Sequence, residues 1–111
     1  MTTVRRPAIG VVIAQTGRLA ELAEPVEFVA ELFRDGPAEI ILRDSRSSPD
    51  GARAATEELV RTGRVQLVLT LGGTATLPAV ADTCERLGTP CLSTVLPWQV
   101  FHGGRRRTPR W

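Results

Sequence analysis

A unit of three parts recurs along this chain: an apolar run, a short polar loop, and a segment whose apolar positions repeat every three to four residues. The apolar runs lie at residues 9–14, 40–42 and 65–71, and a fourth at 91–95 closes the series. Continuous apolar runs are typical of parallel strands that are covered on both faces, and the segments between them have the period of amphipathic helices. The pattern therefore predicts an α/β domain with a parallel sheet.

The expected architecture has three layers, with helices on both faces of a four-stranded parallel sheet. We predict strands at 8–14, about 38–43, 65–71 and 91–95. Right-handed crossovers between parallel strands make 2-1-3-4 the natural strand order. Ligands of such sheets bind at the carboxyl ends of the strands, near the point where the strand order reverses. The loops that follow the strands are therefore the candidate functional segments.

Local signals indicate where the helices begin and end. In the first helical segment Pro25 interrupts the pattern, so we expect a kink or a late start near Ala23. In the second helical segment, Ser48 is a natural N-cap with Pro49 at the first helical position. Gly88 is expected to end the third helical segment.

The third loop, Gly72-Gly73-Thr74-Ala75-Thr76, carries the most suggestive chemistry. Glycines allow a ligand to approach the backbone, and the amides of Gly73, Thr74 and Ala75 at a helix start are suited to a carboxylate or phosphate. Thr74 and Thr76 add hydroxyl groups. A turn of this composition also occurs with no ligand role, so both interpretations stay open.

The other three loops supply further candidate contacts. Thr16 follows the first strand, and Ser93 and Thr94 end the fourth. Asp44 is either a loop and cap residue or a direct ligand contact. Trp98 is a ligand platform, a residue at an interface between lobes, or part of the core.

Composition is that of one soluble globular domain. The 111 residues are 42% apolar, and no run has the length of a membrane span. All 14 basic residues are arginine, and four of them lie in the last nine residues. The formal net charge of the whole chain is +2, so the chain without these four arginines has a net charge of −2. A basic end of this kind is most often solvated, and we expect no nucleic-acid partner.

We expect no catalytic, metal or cofactor site. Cys84 and Cys91 fall at apolar positions and are interpreted as small buried hydrophobes. His102 is the only histidine and lies in a glycine-rich segment. No nucleophile, base and orienting group come together in the loops, so an enzyme is not expected.

The chain resembles the type I solute-binding proteins of ABC transporters, in the branch that includes leucine/isoleucine/valine-binding proteins. Four groups of residues carry the resemblance in the family's order, across residues 8–98. They are Ile9-Gly10-Val11-Val12 with Thr16-Gly17-Arg18-Leu19-Ala20, Arg43-Asp44-Ser45-Arg46-Ser47-Ser48-Pro49, Leu71-Gly72-Gly73-Thr74 with Leu77-Pro78-Ala79-Val80, and Gly88-Thr89-Pro90-Cys91-Leu92-Ser93. Their order and spacing are more specific than any one of them.

The resemblance implies a two-lobed Venus-flytrap protein that clamps a small solute, often an amino acid, and passes it to a membrane permease. Residues 8–98 would form its first, Rossmann- or flavodoxin-like lobe, between a tail at 1–7 and a basic, irregular tail at 99–111. In that family the first lobe contacts solute through the loops that here are 72–76 and 93–98. The implied location is extracytoplasmic; residues 1–7 lack the apolar stretch of a signal peptide, so a complete protein of this sequence would be expected in the cytoplasm.

Two departures from the family matter. Gly73 stands where leucine-binding relatives place a hydroxyl residue, which leaves the solute unidentified. The sequence contains no second lobe, and a lone lobe cannot bury a ligand on all sides. We therefore expect weak or absent solute binding by this chain alone, and self-association through surface left uncovered around residues 96–101.

Two alternatives stay open. A molybdopterin-binding enzyme domain has a similar turn to Leu69-Thr70-Leu71-Gly72-Gly73-Thr74, but here Ala75 replaces the glycine that would follow. The other alternative is an interaction module derived from a binding-protein lobe.

Overall fold

Four parallel strands form one sheet in the computed structural model, which describes residues 6–73 and 75–94. The strands are β1 (Ala8–Ile13), β2 (Glu39–Asp44), β3 (Leu67–Leu71) and β4 (Cys91–Ser93). Their order across the sheet is β2-β1-β3-β4, and every neighbouring pair is parallel. The predicted fold class and strand order are confirmed.

The strand boundaries differ from the predicted ones by one or two residues. β1 ends at Ile13 instead of residue 14, and β2 runs to Asp44, which pairs with Ile13. β3 begins at Leu67 because the chain still turns at Arg64, whose φ is 51°, and Val65 N–H donates to the Leu59 carbonyl oxygen at 3.3 Å. β4 ends at Ser93, and residue 95 of its predicted span lies outside the described residues.

Three helices connect the strands: α1 (Ala23–Leu32), α2 (Pro49–Arg61) and α3 (Leu77–Leu87), with a 3-10 turn at Ala20–Leu22 before α1. The late start at Ala23 places Pro25 in the first turn, where its missing N–H is harmless. Ser48 caps α2 by accepting a hydrogen bond from Gly51 N–H at 3.0 Å. Gly88 ends α3 in the left-handed conformation with φ 75°. Among the described residues, no helix has the length and apolar character to span a membrane.

The helices divide between the two faces of the sheet. On one face α2 and α3 pack over Val12 and Val68, in a cluster that includes Leu59 and Val80. On the other face Val11 and Ile13 pack with Ala23 of α1. Successive β1 residues thus point to opposite faces, as the period of a strand requires. Helices lie on both faces, as predicted, but α1 is the only described helix on its face.

Helix α2 approaches the chain after β2 very closely at Gly51. A Cβ atom at this position would lie 2.0 Å from the Ser45 carbonyl oxygen and 2.8 Å from its carbonyl carbon. Both are backbone atoms, so no side-chain rotation relieves the contact. Glycine at position 51 is therefore required by the packing of α2 against the loop at the end of β2.

We expect Gly51→Ala to destabilise the fold by at least about 3 kcal/mol, the upper part of the range for overpacking. Helix propensity alone predicts the opposite sign, because alanine is favoured over glycine in a helix by about 1 kcal/mol. Urea unfolding followed by circular dichroism measures the difference. Ala54→Gly, at an exposed position of the same helix, calibrates the propensity effect and should cost about 1 kcal/mol. A Gly51→Ala variant as stable as the parent would contradict the proposed packing constraint.

Candidate functional site

The loops after the four strands begin side by side along the carboxyl edge of the sheet. Ile13, near the end of β1, pairs with Asp44 on one side and with Leu71 on the other. On the far side of β3, Thr70 pairs with Ser93. The candidate residues that the structure describes in these loops are therefore brought to one edge, as the parallel topology predicts.

The loops after β1 and β2 are joined by the carboxylate of Asp44. One oxygen, Oδ1, accepts hydrogen bonds from the backbone N–H groups of Gln15 at 2.8 Å, Thr16 at 3.2 Å and Arg46 at 2.7 Å. The other, Oδ2, accepts from the Thr16 hydroxyl at 2.6 Å. Of the two interpretations left open by the sequence, the structure shows the loop role for Asp44.

These contacts favour the ionised form of Asp44. Its partial burial raises the pKa, but the hydrogen bonds from the Thr16 hydroxyl and from the backbone of Arg46, Gln15 and Thr16 outweigh that effect. The pKa of the Asp44 carboxyl therefore lies below its ordinary value. Because the Thr16 hydroxyl hydrogen is directed at Asp44, the remaining hydrogen-bonding capacity of this exposed hydroxyl group is that of an acceptor.

Ser47 makes the second connection between the same two loops. Its hydroxyl donates to the Thr16 carbonyl oxygen at 2.8 Å and accepts from Leu19 N–H at 3.0 Å. The backbone has positive φ at Gly17 (89°), Arg46 (54°) and Ser47 (56°). A Cβ atom at Gly17 would lie 2.9 Å from the Arg46 carbonyl oxygen, so the two loops are in direct contact.

In the loop after β3, Thr76 is hydrogen-bonded to Gly73. The Gly73 carbonyl oxygen accepts from Thr76 N–H at 3.2 Å, from Leu77 N–H at 3.3 Å and from the Thr76 hydroxyl at 3.1 Å. The Thr76 side chain is buried, and a Cβ atom at Gly72 would lie 2.6 Å from its hydroxyl oxygen. Thr76 thus holds the turn at the start of α3, while Ala75 is exposed. Thr74 lies outside the described residues.

The β1 and β3 loops also meet. A Cβ atom at Gly73 would lie 2.9 Å from Cδ1 of Leu19. Gly73 therefore belongs to the same continuous surface as Thr16, on the other side of Leu19. Any side chain at position 73 has to displace Leu19 or project from this surface.

The two candidate residues at the end of β4, Ser93 and Thr94, differ in their exposure to solvent. Ser93 is buried, with 7% of its surface exposed, and Thr94 is exposed. Thr94 N–H donates to the Thr70 carbonyl oxygen at 3.4 Å. Trp98, the remaining candidate, lies outside the described residues. The structure thus leaves Thr16, Gly73, Ala75 and Thr94 at the accessible part of the edge.

Sequence reasoning missed Ser47 as a connecting residue. The sequence signal for it is a polar serine two residues after another serine in a loop, which is common in turns of every kind. The left-handed conformation of Arg46 and Ser47 has no sequence signal, since neither is glycine or asparagine.

The two cysteines do not belong to this edge. Both are free and buried, between α3 and β4. A hydrogen bond with Cys91, together with burial, raises the pKa of the Cys84 thiol above its ordinary value. Their interpretation as buried hydrophobes is confirmed. In the described part of the chain, no cluster of three or more His, Cys, Asp or Glu side chains is arranged to hold a metal ion.

The fold is shared with solute-binding proteins of ABC transporters. A protein from Rhodopseudomonas palustris BisB5, solved with 3,4-dihydroxybenzoic acid, is similar with a TM-score of 0.76 and 19% identity over 94% of this chain and 30% of its own. One from Sphaerobacter thermophilus has a TM-score of 0.72 and 25% identity over 86% of this chain and 28% of its own. The branched-chain amino acid binding protein LivJ of Streptococcus pneumoniae, solved with isoleucine, has a TM-score of 0.68 and 22% identity over 80% of this chain and 28% of its own.

These similarities show the periplasmic binding protein fold of type I, which confirms the resemblance seen in the sequence. The chain spans less than a third of the length of these proteins. No protein-family model matches the sequence, and no curated protein matches it.

We expect Asp44→Asn to lower the free energy of unfolding at neutral pH by about 1–2 kcal/mol, because the amide cannot accept the Thr16 hydroxyl bond and carries no charge. Since the pKa of Asp44 is lower in the folded state, the parent gains this stability above the unfolded pKa of about 3.9 and loses it as pH falls through the folded pKa. The stability difference between parent and variant should therefore shrink on acidification below about pH 4.

Urea unfolding from pH 7 downwards measures this dependence. Asp35→Asn, which removes an exposed carboxylate in the turn after α1, is the control for net charge. A difference between parent and Asp44→Asn that stays constant with pH would show that ionised Asp44 does not hold the two loops.

Proposed function

We propose that this chain, whose fold is that of type I periplasmic solute-binding proteins, forms one wall of a cleft that binds a small organic carboxylate. The wall is the edge surface that carries Thr16, Gly73, Ala75 and Thr94. The observation that carries the proposal is the direct contact of the Gly73 turn with Leu19 of the β1 loop, which makes one continuous surface of loops at the carboxyl edge.

The chemistry of the β3 loop supports an anionic solute. The turn directly precedes α3, whose N-terminus carries the positive end of the helix dipole. No acidic residue lies in the first turn of α3 to neutralise it. Glycine at position 73 places no side chain on this surface, and Ala75 adds little bulk. Thr76 serves as a positioning residue, because its hydroxyl fixes the Gly73 carbonyl.

The solutes found in two structural neighbours also support a small organic carboxylate as the ligand. Isoleucine and 3,4-dihydroxybenzoic acid share a carboxylate although their remaining parts differ. On this proposal the carboxylate lies against the turn at 72–76. Thr16, held as an acceptor by Asp44, then suits a donor group of the solute, such as an ammonium or hydroxyl hydrogen.

We further propose that this chain corresponds to the first lobe of such a receptor, with residues 93–98 contributing to the cleft and an ABC permease as the partner of the two-lobed form. The chain covers 28–30% of the three neighbours described, which suits a single lobe. A ligand held by one wall keeps much of its surface in water, so binding by this chain alone should be weak. An extracytoplasmic location follows from the same proposal.

The test is an NMR titration of the full chain with isoleucine, 4-hydroxybenzoate and 3,4-dihydroxybenzoate up to tens of millimolar. We expect at least one carboxylate to shift amide signals in the loops at 15–19, 72–76 and 93–94, with saturation in the millimolar range, about −4 kcal/mol. Gly73→Val should abolish these shifts, because its side chain projects into the surface beside Leu19. The amide or alcohol analogues of the same compounds, which lack the carboxylate, should not produce them.

Thr62→Val is the matched control, since Thr62 lies at the end of α2 on the opposite edge of the sheet. It should leave the titration unchanged. Carboxylate-induced shifts spread over the whole surface, or equal shifts in the parent and Gly73→Val, would contradict the proposed site.

A further inference from the structure

Two cysteines meet in the core, at the point where the chain turns from α3 into β4. Cys84 lies in the last turn of α3, and Cys91 is the first residue of β4. Both side chains are 1% exposed and belong to the core cluster between the sheet and the helices α2 and α3. The Cys84 thiol donates a hydrogen bond to the sulfur of Cys91, so the two sulfur atoms are in contact.

The turn between the two cysteines is tight and is closed by backbone hydrogen bonds. Gly88 has the left-handed conformation, with φ 75°. Thr89 N–H donates to the Cys84 carbonyl oxygen at 2.9 Å, and Gly88 N–H donates to the Glu85 carbonyl oxygen at 3.3 Å. These two bonds form the Schellman motif, which reverses the chain at the end of a helix. The backbone itself therefore returns Cys91 to the side of α3 that carries Cys84.

Strand β4 is the part of the sheet that a covalent bond at this position would secure. It has three residues and lies at an edge of the described sheet, where it pairs with β3 alone. Its first residue, Cys91, lies opposite Val68 of β3, and Thr94 of the proposed solute edge directly follows its end. A bond from Cys91 to Cys84 would fasten the start of this short strand to α3.

We propose that Cys84 and Cys91 form an intramolecular disulfide bond when the chain folds in the presence of a disulfide oxidant, and that this bond fastens β4 to α3. Disulfide bonds form and persist in oxidising compartments outside the cytoplasm, which is the location proposed above for this chain. The inference concerns the covalent state of the core and does not depend on solute binding.

The bond forms by two thiol–disulfide exchanges with a small oxidant such as glutathione disulfide. The thiolate of one cysteine attacks the oxidant, which gives a mixed disulfide and releases one glutathione. The thiolate of the other cysteine attacks the protein sulfur of that mixed disulfide and releases the second glutathione. Both thiol protons pass to the released glutathione, so the chain loses two hydrogen atoms and the oxidant gains them. Because both side chains are buried in the folded domain, the first exchange precedes closure of the core.

The test is refolding of the full chain from denaturant with a mixture of reduced and oxidised glutathione. We expect a monomeric product that is lighter by two hydrogen atoms, about 2 Da, and that has no thiol open to alkylation after denaturation. Trypsin cleaves after Arg86 and so separates the two cysteines. The peptides 65–86 and 87–105 should therefore be found as one linked species, which a reductant splits.

Thermal unfolding tests whether the bond fits the fold. The oxidised chain should have a Tm roughly 10 °C above that of the reduced chain, because the bond constrains the unfolded state. Cys91→Ala is the matched control: it keeps a small apolar residue at the position and should have the same Tm with and without the oxidant. Cys84→Ala takes its place if that variant does not fold.

Three results would overturn the proposal. The first is that both thiols of the refolded parent still react with the alkylating agent. The second is that the cysteines are found only in disulfides between two chains or with glutathione. The third is that the oxidised chain has a Tm no higher than that of the reduced chain, because the bond would then not fit the turn between α3 and β4.

Discussion

The carboxylate of Asp44 is the interaction on which the candidate site depends. It binds three backbone N–H groups and one hydroxyl group, from the ends of both β1 and β2. Without an acceptor at this point, the N–H groups of Gln15 and Thr16 would have to find other partners at the edge of the sheet. The position of Thr16 follows from this one side chain, whereas Leu19, which lies beside Gly73, is held through its N–H by the hydroxyl of Ser47. Asp44 and Ser47 therefore fix different parts of the β1 loop.

The loops of the proposed site are held in place in two different ways. The β1 and β2 loops are fixed by side-chain hydrogen bonds and close backbone contact at Gly17. The β3 loop is fixed by its own turn, in which Gly73 and Thr76 bind each other. A surface preorganised in this way loses little entropy on binding, so the weak binding that we propose for a single wall would come from incomplete burial of the ligand.

The sequence predicts the architecture well because its signals are local and repeated. Apolar runs, the Ser48-Pro49 helix start and Gly88 each specify an element through backbone geometry, and the crossover rule orders the strands. The ends of the strands are harder to predict from the sequence. Val65, for example, is apolar and buried like a strand residue, but the turn at Arg64 excludes it from β3. The same topological rule made the loops at the carboxyl edge the candidate site. The contacts of Asp44 and Ser47 with the β1 loop were not predictable, because they join loops about 30 residues apart in sequence. The hydrogen bond of Thr76 to Gly73 is local, but a threonine in such a turn does not by itself indicate which partner it binds.

The strand order has a consequence for how the protein meets other copies of itself. Within the described residues the edge strands are β2 and β4. β2 carries Glu39 and Arg43, with Arg43 paired to Glu58 of α2, and β4 is only three residues long. Charged side chains and short edge strands both oppose the addition of a further strand by backbone pairing. The sheet is thus protected against edge-to-edge growth of the kind that leads to amyloid.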